Sequence, residues 1–156
     1  MKNFETFLEA FIRKAKTPYK EGEFGYWWTT VQGNPDISGL DYKGNIVCSD
    51  RNLTSLKGSP KSVSGGFYCW KNLLTSLEFS PKEVGGDFSC RDNLLTSLKF
   101  APEKVEGDFN CRDNKLTSLE FSPKEVGGDF RCYNNTKKFT EEDVKAVSNV
   151  KGKIYV

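Results

Sequence analysis

Residues 107–127 read Gly107-Asp108-Phe109-Asn110-Cys111-Arg112-Asp113-Asn114-Lys115-Leu116-Thr117-Ser118-Leu119-Glu120-Phe121-Ser122-Pro123-Lys124-Glu125-Val126-Gly127, and Gly128 begins the phrase again. The chain's five cysteines, Cys48, Cys69, Cys90, Cys111 and Cys132, each stand 21 residues after the one before. Other columns keep the same step. Gly44, Gly65, Gly86, Gly107 and Gly128 precede the cysteines by four residues, and Ile46, Phe67, Phe88, Phe109 and Phe130 precede them by two. Leu53, Leu74, Leu95 and Leu116 follow by five, and Leu56, Leu77, Leu98 and Leu119 by eight. A fixed period of this length is the mark of a solenoid, in which each repeat hides its apolar side only by stacking on its neighbours.

Each column has a physical reading. Phe-x-Cys alternates with period two, so both side chains enter one side of a short parallel strand centred on each cysteine. Asn72, Asn93, Asn114 and Asn135 come three residues after the cysteine, where the strand turns. A carboxamide there is able to satisfy backbone groups of adjacent coils. The first coil departs from the column, with Arg51 in place and Asn52 beside it. The two leucine columns, together with Phe79, Phe100 and Phe121, are expected to fill the core beneath the return path. The proline and glycine columns supply the remaining turns without a long helix.

The segment Phe109-x-Cys111-x-x-Asn114-x-Leu116-Thr117-Ser118-Leu119 resembles the leucine-rich-repeat motif, with Phe and Cys in its first two leucine places. The GGDFxC, LTSL and SPKEV blocks are also similar to short leucine-rich-repeat proteins encoded by tailed bacteriophages. The likeness spans residues 44–135. It implies a repeat solenoid with a short parallel β-sheet of about five to six 21-residue coils, and it says almost nothing of function.

The two ends depart from the period, as end caps do. Phe4, Phe7, Leu8, Phe11 and Ile12 fall on one helical face within residues 3–16, behind Asn3 as an N-cap. Docking of that face on a partner or a membrane is the weaker reading, because its polar side carries both charges. Residues 24–31, Phe-Gly-Tyr-Trp-Trp-Thr-Thr-Val, read as a strand, with Trp27 and Trp28 facing opposite ways, and Gly33-Asn34-Pro35-Asp36 as a turn. Thr140 followed by Glu141, Glu142 and Asp143 reads as the start of a short helix. Gly152-x-Ile154-x-Val156 restores the strand register after 24 residues. One domain, 1–156, is expected: an N-terminal cap at 1–43, the solenoid at 44–135 and a C-terminal helix and strand cap at 136–156.

Composition narrows the chemistry. With 23 basic and 21 acidic side chains the net charge is +2, too slight to imply nucleic acid by itself. Histidine is absent, which removes the commonest general base and metal ligand. The N-terminal stretch mixes acidic residues among its apolar ones, unlike a secretory signal, and nothing approaches a membrane span; a cytoplasmic protein is expected. The cysteines form a line rather than a knuckle, so zinc is not expected. Rung spacing by itself permits a disulfide. An odd number at inward strand sites favours a reduced core ladder, and no cofactor is expected.

Function is expected on the outward strand positions. Tyr68, Trp70, Arg91, Arg112, Arg131 and Tyr133 flank the cysteines and would form one band on the concave side of a curved solenoid. Aromatics and arginine are the residues enriched at binding hot spots. Asp87, Asp92, Asp108, Asp113 and Asp129 lie near the arginines, so a purely structural charge lattice also accounts for part of the pattern. Lys57, Glu78, Lys99 and Glu120 alternate in sign, as do Glu83, Lys104 and Glu125, and read as a solvated outer face. The expected activity is protein binding without catalysis, with a bacterial host or defence protein as the partner that the phage resemblance implies. Nucleic-acid or nucleotide binding through the Arg/Tyr/Trp band is the alternative. A carboxylate-pair hydrolase is disfavoured, since repeated aspartates lack contrasting environments.

Overall fold

A computed structural model describes residues 20–32 and 37–156. From Asp41 onward each coil contributes two strands of two residues. β1 (Asp41–Tyr42), β3 (Ser62–Val63), β5 (Glu83–Val84), β7 (Lys104–Val105), β9 (Glu125–Val126) and β11 (Asn149–Val150) make one six-stranded parallel sheet. β2 (Ile46–Val47), β4 (Phe67–Tyr68), β6 (Phe88–Ser89), β8 (Phe109–Asn110), β10 (Phe130–Arg131) and β12 (Ile154–Tyr155) make the other. The result is a parallel β-solenoid of about five turns with coils of about 21 residues. The second sheet holds the expected Phe-x-Cys register, with Phe67 opposite Phe88 and Phe88 opposite Phe109. Its ladder continues through the cysteines, whose amides donate to the next coil, as in Cys69 N to Ser89 O at 2.9 Å.

The core is a set of columns. Phe67, Phe88, Phe109 and Phe130 are wholly buried, and the first three stack with centroids 5.8 Å apart. The two leucine columns and Val63, Val84, Val105 and Val126 enclose them. All five thiols are buried and free. Burial pushes every one of them up, to about 12 at Cys90 and Cys132, so they stay protonated. The asparagine column behaves as its position demands. Asn93 Oδ1 accepts from Leu74 N at 3.0 Å, while its Nδ2 donates to Cys69 O and Cys90 O, both at 3.0 Å. Asn72 and Asn114 repeat this arrangement.

Coils approach so closely that side chains are excluded at one column. A Cβ on Gly86 would lie 2.8 Å from Gly66 N and 2.9 Å from Gly65 C, both immovable backbone. Glycine is required there by space.

Two expectations are corrected, and one element is new. Residues 24–31 are not a strand: α1 spans Phe24–Gln32. Phe24, Trp27 and Trp28 stand at i, i+3 and i+4, so a helix brings all three to one side, and both tryptophans are buried. Phe24 reaches Phe67 with centroids 6.3 Å apart, closing the first coil. The chain entering α1 runs along that coil, with Phe24 N donating to Ser55 O and Gly25 N to Lys57 O. Phe79, Phe100 and Phe121 are not core residues. They sit at a corner with φ of 69°, 71° and 66° and are about half exposed. The left-handed backbone that makes the corner turns these side chains off the inward register, and Gly58 occupies the same place in the first coil with φ 100°. Finally, the Val63, Val84, Val105 and Val126 column belongs to a second sheet that the sequence reading did not assign.

At the other end α2 spans Glu141–Lys145, capped by Thr140, whose hydroxyl accepts from Asp143 N while Asp143 accepts from Thr140 N. Ile154 takes the register of Phe130, as expected. The helix expected over residues 3–16 and the turn at 33–36 lie outside the described residues. No described helix is long and apolar enough to cross a membrane.

Candidate binding face

The sheet of even-numbered strands places Val47, Tyr68, Ser89, Asn110, Arg131 and Tyr155 in one outward row. Two residues further along, past each inward cysteine, come Ser49, Trp70, Arg91, Arg112 and Tyr133. Strand alternation is the cause: a residue on either side of a buried cysteine must face out. The six residues singled out from the sequence therefore share this face. They are partly exposed, whereas Ser49 and Ser89 are buried between larger neighbours.

Arginines and aromatics stack across the coils. The Arg91 guanidinium lies 4.4 Å from the Trp70 ring centroid, Arg112 lies 5.3 Å from Tyr133, and Arg131 lies 5.0 Å from Tyr155. Each guanidinium also meets a carboxylate. Arg91 pairs with Asp92, Arg112 with Asp113 at 3.3 Å, and Arg131 with Asp108 at 2.6 Å and Asp129 at 2.7 Å. The positive charge of the band is neutralised within the chain.

The aspartates do a second job. Asp87 Oδ1 accepts from Asp108 N at 2.9 Å, and Asp108 Oδ1 accepts from Asp129 N at 2.8 Å. Each carboxylate thus ties one coil to the next with one oxygen and faces the band with the other. Tyr68 donates its hydroxyl to Asp87 Oδ2 at 3.2 Å. Burial, then the Asp87 charge, raises its hydroxyl above the ordinary range. At Asp108 burial acts to raise the carboxyl, but the Arg131 bond and the Asp129 N–H outweigh it and hold it below its usual value.

Tyr155 belongs to the band and was not named from the sequence. The signal was present, because the Gly152-x-Ile154-x-Val156 register places residue 155 in the same outward row as Arg131. A concavity of about 890 Å³ opens between α2 and β12, lined by Glu141, Lys145, Ser148, Lys153 and Tyr155 among others. It meets the band only at Tyr155. No cluster of three or more His, Cys, Asp or Glu side chains suited to a metal ion occurs among the described residues.

No protein-family model, no curated protein and no solved structure matches this chain.

Proposed function

We propose that the chain is a non-enzymatic protein-binding module, and that Tyr68, Trp70, Arg91, Arg112, Arg131 and Tyr133 form its docking face. One observation carries this reading: arginines held over aromatic rings and charge-neutralised by aspartates. Such side chains lose little freedom on binding and need not shed a free charge, which suits a protein surface more than a phosphate backbone. The rigid solenoid beneath supplies a broad platform. The resemblance to phage-encoded repeats extends the proposal to a host or defence protein of a bacterium as the partner, in the cytoplasm of that cell.

The alternation of arginine with aromatics favours a second reading, single-stranded nucleic-acid binding by stacking. Its weakness is that Asp92, Asp113, Asp108 and Asp129 already occupy the guanidinium groups.

The test begins with affinity purification of a partner, followed by titration of folded variants. Trp70→Ala and Arg112→Ala are expected to weaken binding about thirtyfold, the equivalent of about 2 kcal/mol for a buried anchor. Lys61→Glu, beside the opposite sheet, should bind without loss. Normal binding by the first two and abolished binding by the third would overturn the assignment. A gel shift with single-stranded nucleic acid that collapses steeply with salt would favour the second reading.

A further inference from the structure

Phe79, Phe100 and Phe121 are difficult to explain by folding alone. A bulky aromatic at positive φ is disfavoured, and Gly58 shows the unstrained choice at the same corner. The strained residue recurs in three consecutive coils, yet the rings stay 49%, 40% and 50% exposed. Among the described residues no ring contact joins one to another. An exposed apolar stripe held in an unfavourable backbone conformation calls for a surface that covers it.

The charges beside the stripe state what that surface is. Glu78 precedes the ring of the second coil and Lys99 that of the third; Lys82 follows the first of these rings and Glu103 the second. Glu83 and Lys104 invert in the same way. In all three columns the sign reverses between the second coil and the third. Glu78, Lys99, Lys82 and Glu103 are exposed and make no ion pair within the chain among the described residues; Lys99 Nζ lies 5.1 Å from the centroid of the adjacent Phe100 ring and leaves its charge open to a carboxylate. Turning a second copy end for end about a two-fold axis brings the second coil of one molecule opposite the third of the other. Each column then faces itself in reverse order.

We infer that this corner is a self-complementary dimer interface, with Phe79 of one copy against Phe100 of the other, flanked by Glu78–Lys99 and Lys82–Glu103 pairs between the copies. The symmetry makes every pair occur twice and closes the assembly at two. Lys57, which pairs with Glu23 of its own chain at 3.7 Å, faces Glu120 one coil further out, and Lys61 meets a like charge, Lys124, at the margin. Half-exposed rings offer a small apolar area, so association is weak and concentration-dependent. The strand face with Trp70 and Arg112 belongs to the other sheet and stays outside the contact, so a dimer presents two copies of it.

Sedimentation velocity of the full chain over a concentration series tests this. Wild type is expected to show a reversible monomer–dimer equilibrium. Phe100→Asn keeps a residue that tolerates the left-handed backbone and should weaken dimerisation about tenfold or more. Glu78→Lys alone and Lys99→Glu alone each set like charges opposite one another and should be monomeric. Mixing these two variants in equal amounts should restore a dimer, since both 78–99 pairs then have opposite signs; a role confined to one chain does not predict that rescue. A monomeric wild type across the series overturns the inference. So does a wild-type dimer indifferent to Phe100→Asn, or a mixture of folded charge variants that stays monomeric.

Discussion

Asn93 stands where the strand of the third coil ends, buried, with a carboxamide that serves four backbone groups in two coils. Its oxygen takes the Leu74 N–H and its nitrogen donates to Cys69 O, Cys90 O and Arg91 O. Removing such a side chain leaves buried donors and acceptors with no water to replace it, at roughly 1–3 kcal/mol each. Asn93→Ala is therefore expected to cost about 3 kcal/mol or more, measured as a lower urea midpoint with an unchanged slope. Asn93→Asp supplies the acceptor but loses the donor, and should fall no less. An Asn93→Ala protein as stable as wild type would mean that the column is decorative. Arg51 stands at this place in the first coil, and Asn72 of the next coil keeps its ordinary bonds to Leu53 N and Cys48 O while also accepting from Arg51 N.

At the scale of elements, α1 shows how an end is closed. A coil at the edge of a solenoid exposes the apolar side that its missing neighbour would cover. Phe24, Trp27 and Trp28 bury themselves over that side, with Trp28 stacked on Phe24 at 6.0 Å and edge-on to Tyr42 at 6.0 Å. Trp28→Ala should destabilise the protein by about 3–5 kcal/mol, the range for a large buried aromatic. Calorimetry is the measurement, and a loss below about 1 kcal/mol would show that α1 does not cap the core. The opposite end relies on different chemistry. α2 is one short turn and a half, held by its capping box and by Val144, the buried residue on it. Its helix replaces the ordinary return segment, and β11 and β12 extend the two sheets by one further rung.

For the molecule as a whole, five buried thiols couple stability to alkaline pH. Burial raises their folded-state pKa above the ordinary 9.0. The folded state therefore holds more protons than the unfolded state once pH exceeds about 9, and stability falls as pH rises through that point. Below it the contribution is complete. Denaturant midpoints are expected to be level from neutral pH to about 9 and then to drop toward about 12, with thiol reagents unreactive until the protein unfolds. Rapid labelling of the native protein at neutral pH would contradict the buried ladder.

The period, the inward columns of Phe, Cys and Leu, the asparagine ladder, the capped C-terminal helix and the outward placement of Tyr68, Trp70 and the arginines were all legible in the order of the residues. Those features repeat, and repetition reports equivalence between coils regardless of how each coil bends. Three things were decided only by tertiary structure. The second sheet rests on two-residue strands such as Glu83–Val84, too short to show any alternation, and exists because stacked coils lend each other hydrogen bonds. α1 is composed of good strand formers, and only the open apolar side of the first coil selects the helical spacing of Phe24, Trp27 and Trp28. The Phe79, Phe100 and Phe121 column looks like core in a list of hydrophobic residues. It ends at the surface because closing a coil of this length demands a left-handed corner at that position, and backbone geometry outranks side-chain hydrophobicity there.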